Sequence, residues 1–200
     1  MKYPGAYTPD LSQRDPHPLL NKLFVQRWSP RSFVKTNISP EDLASVLDAA
    51  RWAPSAYNEQ PWRILTSTSE TFATFLELLA EPNQKWAHNA SVIGFMIAKK
   101  NFTFNAKPNP WAIFDCGSAW MSLTLQARKL GLYTHGMAGI KKEAIHDAFH
   151  IDRQEFEVVA GFVIGLLGER EHLEKPYIDW ESPSLRKALP EIWKQGVWTK

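Results

Sequence analysis

Residues 158–167, VVAGFVIGLL, form an uncharged and almost wholly apolar run of ten residues. A second apolar run, SVIGFMIA, covers residues 91–98. A membrane-spanning helix needs about 20 apolar residues, so both runs are interpreted as strands buried inside a sheet. Helical patterns alternate with these strands along the chain. The sequence therefore predicts an α+β fold in which helices cover both faces of a sheet, a three-layer α/β/α sandwich.

The helix signals are clearest between residues 39 and 54. Ser39 is a predicted N-cap, Pro40 suits the first helical position, and Pro54 ends the helix. A longer helix is predicted over residues 111–130, with Gly131 where a left-handed residue often terminates a helix. Further helices are predicted to end near residue 27 and to span 72–79 and 141–150, and short strands are predicted at 63–67 and near 133.

No repeat or low-complexity segment divides the chain, so residues 1–200 are predicted to form one domain. Residues 1–17 are rich in Pro and Tyr, and residues 169–200 are charged and interrupted by prolines. Both segments are interpreted as arms. The second arm carries Trp180, Trp193 and Trp198, and its apolar residues follow no clear helical period. We expect it to pack on another surface, for which a second subunit is one candidate.

The composition argues against several functional classes. Lys plus Arg total 23 and Asp plus Glu total 21, and a formal net charge of +2 does not favour nucleic-acid binding. The single cysteine rules out an internal disulfide and any zinc site with several cysteines. The N-terminal residues contain no apolar segment typical of a signal peptide, so we expect a cytoplasmic protein with no membrane partner. Nine Trp and eleven Phe are an excess that requires a core, an interface or a binding site.

Residue patterns typical of hydrolytic, metal-dependent or dinucleotide-binding sites are weak or missing. His146 and His150 lie on one predicted helix face, but no third ligand accompanies them, so no metal site is predicted. Cys116 lies on the apolar stripe of a helix and is interpreted as a packed thiol. The glycines of residues 161–168 lie along a strand, unlike those of a dinucleotide-binding turn. No protein acid, base or nucleophile is therefore predicted to carry chemistry.

Two segments offer binding groups instead. The first, RWSPRSF, covers residues 27–33, where Arg27, Ser29 and Arg31 could grip a phosphate through guanidinium and hydroxyl donors. The alternative is a basic helix end that complements the helix dipole. The second, APSAYNEQPW, covers residues 53–62 and is a stiff loop whose amide groups suit a flat polar ring. The alternative is an unusually long connection between a helix and a strand.

Taken together, these two segments resemble the FMN-dependent nitroreductase family. In that family an R-x-S-x-R segment is followed about twenty residues later by A-P-S-x-x-N-x-Q-P-W, and RWSPR and APSAYNEQPW match both patterns here. The resemblance covers nearly the whole chain. It continues through NQKW at 83–86, DCG at 115–117, GLYTHGMAG at 131–139, the strand ending at 164–165, and SPSLRKALPEIWKQGVW at 182–198.

The resemblance implies FMN as the cofactor and suggests residues that contact it. Arg27 and Ser29 match residues that hold the FMN phosphate. Arg31 matches a cation near the pyrimidine side of the isoalloxazine, where it would stabilise the negative charge of reduced flavin. Asn83 corresponds to an amide that hydrogen-bonds the pyrimidine edge. The other predicted cofactor residues are Trp28 in the first motif, Pro54, Ser55, Ala56 and Asn58 in the second, Gly136, Met137, Ala138 and Gly139 against the ring, and Arg186 and Lys187 near the phosphate.

The resemblance also implies a homodimer with FMN at the interface and with exchanged terminal arms. In that arrangement Pro54, Ser55 and Asn58 serve the flavin held mainly by the other subunit. The chain departs from the family at two places. Ala138 stands where an acidic residue or a second glycine is frequent, and the usual proline near Gly136 is absent. Both departures bear on the polarity and potential of the flavin ring.

The implied activity is two-electron transfer by a ping-pong mechanism. NADH or NADPH reduces FMN and leaves, and a small electron-poor acceptor such as a nitroaromatic or a quinone takes its place. Phe102, Phe104 and Trp111 are predicted to line or gate the acceptor site by stacking, with a plain dimer contact as the alternative. Two other functions stay open: a flavin-binding module without turnover, and a specialised relative that dehalogenates, dehydrogenates or degrades flavin.

Overall fold

A five-stranded antiparallel sheet is built around one long strand, Phe156–Leu167 (β5), in the computed structural model, which describes residues 2–197. Along one edge β5 pairs with Val92–Lys99 (β3), which in turn pairs with Trp62–Thr66 (β2). Along its other edge β5 pairs with Tyr133–Met137 (β4). The last two residues of β5 pair with Phe33–Val34 (β1). The two apolar runs of the sequence are thus the central pair of the sheet, as predicted.

Helices connect and cover these strands. Three short 3₁₀ helices, at Ala56–Asn58, Arg170–His172 and Tyr177–Trp180, accompany the α-helices. The α-helices of the described residues are Lys22–Gln26 (α1), Pro40–Arg51 (α2), Phe72–Glu77 (α3), Glu81–Ala87 (α4), Ala112–Leu130 (α5), Lys142–Ala148 (α6) and Leu189–Ile192 (α7).

The side chains of β3 alternate between the two faces of the sheet, as the twofold period of a strand requires. Ile93 and Phe95 belong to one buried cluster, together with residues of α3, α4 and α6. Met96 and Ala98 belong to a second cluster, together with residues of α2 and α5. Helices therefore cover both faces, and the predicted three-layer α+β arrangement is confirmed.

The two helices with the clearest sequence signals form as predicted. The Ser39 hydroxyl accepts a hydrogen bond of 3.1 Å from the backbone N–H of Asp42 at the start of α2, and Pro40 is the first residue of that helix. Helix α5 ends at Gly131, whose φ of 106° is left-handed. Cys116 lies on the buried face of α5, and burial raises the pKa of its thiol to about 12, so the thiol stays protonated and packed.

Sequence patterns missed two short elements and overextended a third. Strand β1 has two residues, and α4 buries only Trp86 and Ala87, so neither is long enough to show a hydrophobic period. The helix predicted over 72–79 ends at Glu77. Leu79 instead forms an isolated β-bridge with Ile140, because its side chain is fully buried beside the sheet.

The two segments interpreted as arms have different surroundings. In the first, the N–H groups of Tyr3 and Ala6 donate hydrogen bonds of 2.9 Å to the carbonyls of Leu130 and Leu167 in the same chain. The second segment is buried at Leu173 and again at residue 181, whereas residues 184–197 are exposed. Trp198 lies outside the described residues.

Residues 27–32 form a loop that β4 holds against the sheet. His135 of β4 lies with its Nδ1 atom 2.8 Å from the carbonyl of Pro30, and its ring packs on Trp86 at a centroid distance of 4.7 Å. A carbonyl only accepts, so Nδ1 is the donor. Burial lowers the pKa of His135 to about 4, and the charges of Arg31 and Arg27 act in the same direction. His135 is therefore neutral near pH 7.

Within residues 2–197, none of the helices combines the length and the apolar content needed to cross a lipid bilayer.

The close packing of β3 on β5 gives a first prediction. Gly94 faces Phe162 across the two strands, and a Cβ atom at position 94 would lie 2.3 Å from the Phe162 ring. We expect Gly94→Ala to lower the free energy of unfolding by about 1–3 kcal/mol, because the ring has to shift in a packed core. Urea unfolding measures this change.

A double-mutant cycle is the control for that prediction. Phe162→Leu removes the ring that the new methyl group meets, so Gly94→Ala should cost clearly less in the Phe162→Leu background than in the wild type. Equal costs in the two backgrounds would show that the close contact with the ring is not the cause.

The neutral state of His135 gives a second prediction, which concerns how the folding stability changes with pH. Between pH 6.5 and about 4 the unfolded chain binds a proton at His135 that the folded chain does not bind. Stability therefore falls as the pH is lowered through this window, by at most about 3 kcal/mol from this residue. His135→Asn keeps a donor for Pro30 but does not titrate, so its stability should fall less steeply from pH 7 to 4.5 in urea unfolding.

His88→Asn is the matched control for this measurement. His88 is exposed, and its Nδ1 atom also lies near a backbone carbonyl, that of Gln84, at 3.2 Å. We expect this variant to keep the pH slope of the wild type. The same slope in the His135→Asn variant would contradict the assignment of the slope to His135.

Candidate functional site

A cavity of about 710 Å³ lies beside the loop of residues 27–32. Its basic wall contains Arg27, whose guanidinium lies 3.4 Å from the hydroxyl of Ser29. Arg186 and Lys187, predicted from the tail of the sequence, line the same cavity, so the structure brings three of the predicted phosphate residues to one place. Apolar side chains line much of the remaining wall, among them Leu20, Phe24, Met121, Leu189 and Ile192.

Arg14 is a fourth basic residue of this cavity, and the sequence analysis missed it. Its Nη1 atom donates to the carbonyls of Val25 and, at 3.0 Å, Arg27. Its Nε and Nη2 atoms are buried without a hydrogen-bond partner among the described residues. Arg14 stands alone in a polar segment of the sequence, and no local pattern marks it.

The cavity carries an excess of positive charge. Its basic side chains are Arg14, Arg27, Arg186 and Lys187, and Asp15 is the one acidic residue among those that line it. Burial lowers the pKa of Arg14 and of Arg27, and the charge of Arg186 lowers both further. Mutually repelling guanidinium groups around a cavity favour a bound anion.

Arg31 lies at the other end of the loop, and residues of the C-terminal segment hold it. Its backbone N–H donates to both carboxylate oxygens of Glu181, at 3.0 and 2.8 Å. Its guanidinium lies over the ring of Trp180, 5.6 Å from the centroid. Sequence reasoning could not find this contact, because 150 residues separate the two partners.

Asn83 and Gly139, both predicted to contact the cofactor, contact each other. The side-chain amide of Asn83 donates a hydrogen bond of 2.9 Å to the carbonyl of Gly139. A Cβ atom at position 139 would lie 2.7 Å from that amide nitrogen, so this close approach requires glycine. The carbonyl oxygen of the Asn83 side chain makes no hydrogen bond within residues 2–197 and can accept one from a ligand.

The remaining residues of these two segments divide between core and surface. Trp28 is 3% exposed and meets Tyr133 edge to face, and Met137 is equally buried, so both side chains belong to the core. Gly136 and Ala138 are exposed. Only the backbone of Trp28 and of Met137 is therefore available to a cofactor. Gly136 and Ala138 have small or absent side chains, so the backbone at the end of β4 is exposed.

The second motif forms a strained loop. Tyr57, Asn58 and Gln60 have φ angles of 54°, 55° and 50°, a left-handed conformation that non-glycine residues rarely adopt. The backbone N–H of Ala56 donates a hydrogen bond of 3.1 Å to the buried carboxylate of Asp115 in α5. Pro54 and Asn58 are exposed and Ser55 is partly buried. Within the described part of the chain, no hydrogen bond or ring contact joins residues 54–58 to the loop of residues 27–32.

The predicted acceptor-lining aromatics form two groups. Phe102 and Phe104 cluster with Tyr57 of the strained loop, at centroid distances between 5.2 and 5.7 Å. Phe102 is buried, whereas Phe104 is 62% exposed. Trp111 is exposed and instead meets Phe114 edge to face, at 6.3 Å. Tyr57 was not among the predicted site residues, although it stands inside the second motif.

The prediction that His146 and His150 lie on one helix face is wrong, because α6 ends at Ala148 and His150 follows it with a left-handed φ of 53°. His146 lies in α6, and its Nδ1 atom is 3.0 Å from the carbonyl of Ile151 in the connection that follows the helix. Among residues 2–197, no three His, Cys, Asp or Glu side chains are grouped so that they could hold a metal ion.

Comparisons with known proteins identify the family. The family model described as Nitroreductase family matches residues 24–85 and 66–166. A candidate NADH dehydrogenase/NAD(P)H nitroreductase of Archaeoglobus fulgidus is 34% identical over 119 residues, which cover 56% of this chain and 62% of that protein. The chain thus spans less than two thirds of that relative. A candidate NAD(P)H nitroreductase of Bacillus subtilis is 28% identical over 163 residues, which cover 64% of this chain and 78% of that protein.

Solved structures share the fold. A crystal structure described as an oxidoreductase containing FMN has a TM-score of 0.88 and 41% identity, covering 93% of this chain and 96% of its own. A candidate nitroreductase of Exiguobacterium sibiricum, in complex with FMN, has a TM-score of 0.74 and 22% identity, covering 92% and 99%. Because the family model matches across residues 24–166 and the first of these structures is alike over nearly its whole length, the chain belongs to the nitroreductase family.

Proposed function

We propose that this protein is an FMN-dependent oxidoreductase that passes two electrons from NADH or NADPH to a small electron-poor acceptor, such as a nitroaromatic or a quinone, in a ping-pong mechanism. The observation that carries the proposal is the cationic cavity beside residues 27–32 in a chain of this family. FMN, when bound, supplies the two-electron chemistry, and the protein supplies binding, orientation and charge.

The basic cavity would hold the phosphate. Arg27, Arg186 and Lys187 line it, and the hydroxyl of Ser29 is within reach of the Arg27 guanidinium. A dianionic phosphate satisfies several guanidinium donors at once and offsets their mutual repulsion. The buried, unpartnered Nε and Nη2 atoms of Arg14 add donors that an anion can use. The donor set therefore fits a phosphate group.

Arg31, Asn83 and the segment 136–139 would hold the ring. The positive charge of Arg31 favours the reduced, negatively charged form of the flavin. The free carbonyl of the Asn83 side chain can accept a hydrogen bond from an imide N–H. Gly136 and Ala138 are exposed, so the backbone at the end of β4 is accessible to a flat ligand. Neutral His135 fixes the loop of residues 27–32 against this segment without adding charge.

The proposed active unit is a homodimer formed from the single domain of residues 1–200. Residues 3–6 and 177–181 contact their own chain, so an exchange of arms would involve the exposed residues 184–197. Among the described residues, no hydrogen bond or ring contact joins residues 54–58 to the loop of residues 27–32 of the same chain, and Pro54 and Asn58 are exposed. These facts support a role at the flavin of the other subunit. The exposed Phe104, Trp111 and Phe114 would border the acceptor site or the dimer contact.

Replacement of both loop arginines tests the flavin site. We expect Arg27→Ala/Arg31→Ala to weaken FMN binding at least about 100-fold, because each arginine contributes a charge-assisted contact. Quenching of FMN fluorescence measures the dissociation constant, and the melting temperature without FMN shows that the variant folds. Lys142→Ala/Arg153→Ala also removes two positive charges, from ion pairs at α6, and should keep the wild-type affinity. Unchanged FMN binding by the first variant would contradict the proposed site.

Anaerobic titration tests the activity itself. The purified protein is expected to be yellow, to lose its flavin absorbance with NADH or NADPH, and to regain it when a nitroaromatic or quinone is added. Colour without reduction by either nicotinamide would favour a flavin-binding module without turnover. Reduction without reoxidation by this panel of acceptors would point to a specialised relative with another substrate. A protein that neither is coloured nor binds added FMN would contradict the proposal as a whole.

A further inference from the structure

A buried carboxylate from the C-terminal segment holds the backbone of the first motif. Glu181 is 3% exposed, and its two oxygens accept hydrogen bonds from the backbone N–H of Arg31, at 3.0 and 2.8 Å. One of these oxygens also accepts from the N–H of Ser32, at 2.9 Å. A buried carboxylate is costly unless it is well paired, and backbone donors provide this pairing at one fixed place. These hydrogen bonds therefore hold the backbone of Arg31 in place.

The residues before Glu181 hold the side chain of Arg31 and reach Asn83. Trp180 lies under the Arg31 guanidinium at 5.6 Å, and Tyr177 meets Trp180 edge to face at 6.0 Å. The Tyr177 hydroxyl donates 2.9 Å to the carbonyl of Pro82, directly before Asn83. The segment 177–181 therefore contacts Arg31 directly and reaches the residue before Asn83. The proposed function places both Arg31 and Asn83 at the pyrimidine edge of FMN.

We infer that Tyr177, Trp180 and Glu181 form a positioning segment that sets the placement of Arg31, and through it the affinity for reduced FMN and the flavin midpoint potential. The inference rests on the proposed function. None of the three residues needs to touch the flavin. Glu181 acts on the Arg31 backbone and Trp180 acts on its guanidinium, so the two contacts can be tested separately.

The expected effect falls on the reduced flavin more than on the oxidised flavin. A cation near the pyrimidine side attracts the negative charge that appears on reduction, and this attraction weakens when the cation moves away. A tenfold loss of affinity for the reduced form alone lowers a two-electron midpoint potential by about 30 mV. A change in general stability would lower the affinities for oxidised and reduced FMN by the same factor and leave the midpoint potential unchanged.

Two variants of the segment are compared in the FMN-loaded protein. Glu181→Asp keeps the negative charge but shortens the side chain, so it cannot keep all three hydrogen bonds. Trp180→Leu keeps an apolar side chain at a ring that is 56% exposed but removes the π face. Glu174→Asp is the matched control, because it shortens a glutamate in the same way at an exposed residue of the same C-terminal segment.

Each variant is made with Arg31 present and in the Arg31→Ala background. The midpoint potential and the dissociation constants of oxidised and reduced FMN are measured for all. With Arg31 present, we expect the affinity for reduced FMN to fall at least fivefold in Glu181→Asp and two- to fivefold in Trp180→Leu, with a more negative potential. In the Arg31→Ala background the same changes should have less than a twofold effect, because the group they act through is gone.

The outcomes separate this inference from the proposed function. Equal effects in both backgrounds, or equal losses for oxidised and reduced FMN, would overturn the positioning role, and so would an unchanged potential in both variants. A wild-type protein that does not bind FMN would overturn the proposed function and this inference with it. A shift in Glu174→Asp as large as that in Glu181→Asp would also count against it, since Glu174 does not contact Arg31.

Discussion

Strand β5 pairs with three of the other four strands of the sheet, so its register decides where the loops attached to those strands lie. Its residues 156–164 pair with β3, residues 161–165 with β4 and residues 166–167 with β1. Because β4 and β1 pair with adjacent stretches of β5, the segments attached to them, residues 136–139 and residues 27–32, come near each other. His135 then ties the two together through the carbonyl of Pro30. The relative position of these two segments therefore follows from the register of the strands and from the contact of His135.

Charge is distributed around the site in an unequal way. The cavity is lined by four basic side chains and one acidic side chain, although the whole chain has a net charge of only +2. The carboxylate of Glu181 accepts its hydrogen bonds from the backbone N–H groups of Arg31 and Ser32. Among residues 2–197 no carboxylate forms an ion pair with the guanidinium of Arg31, so that group can still pair with a ligand.

Much of the fold could be predicted from the sequence, because long elements leave periodic signals. The runs around Phe95 and Val163 and the capped helix that begins after Ser39 were predictable from local chemistry alone. The two-residue β1 and the seven-residue α4 were not, since they are too short for a period and are stabilised by tertiary contacts. At the site, Arg27 and Arg31 stood out through their spacing, whereas Arg14 and Glu181 are isolated residues whose partners lie elsewhere in the chain.

The sequence by itself determined the layers of the fold, the family resemblance and the residue types that suit a phosphate and a flat polar ring. Only the tertiary structure decided how these residues are placed. It turned the side chains of Trp28 and Met137 into the core, joined Asn83 to Gly139, and separated Trp111 from the cluster of Phe102 and Phe104. The physical reason is that periodicity and capping are local, whereas burial, close backbone approach and charge compensation arise between residues far apart in the chain.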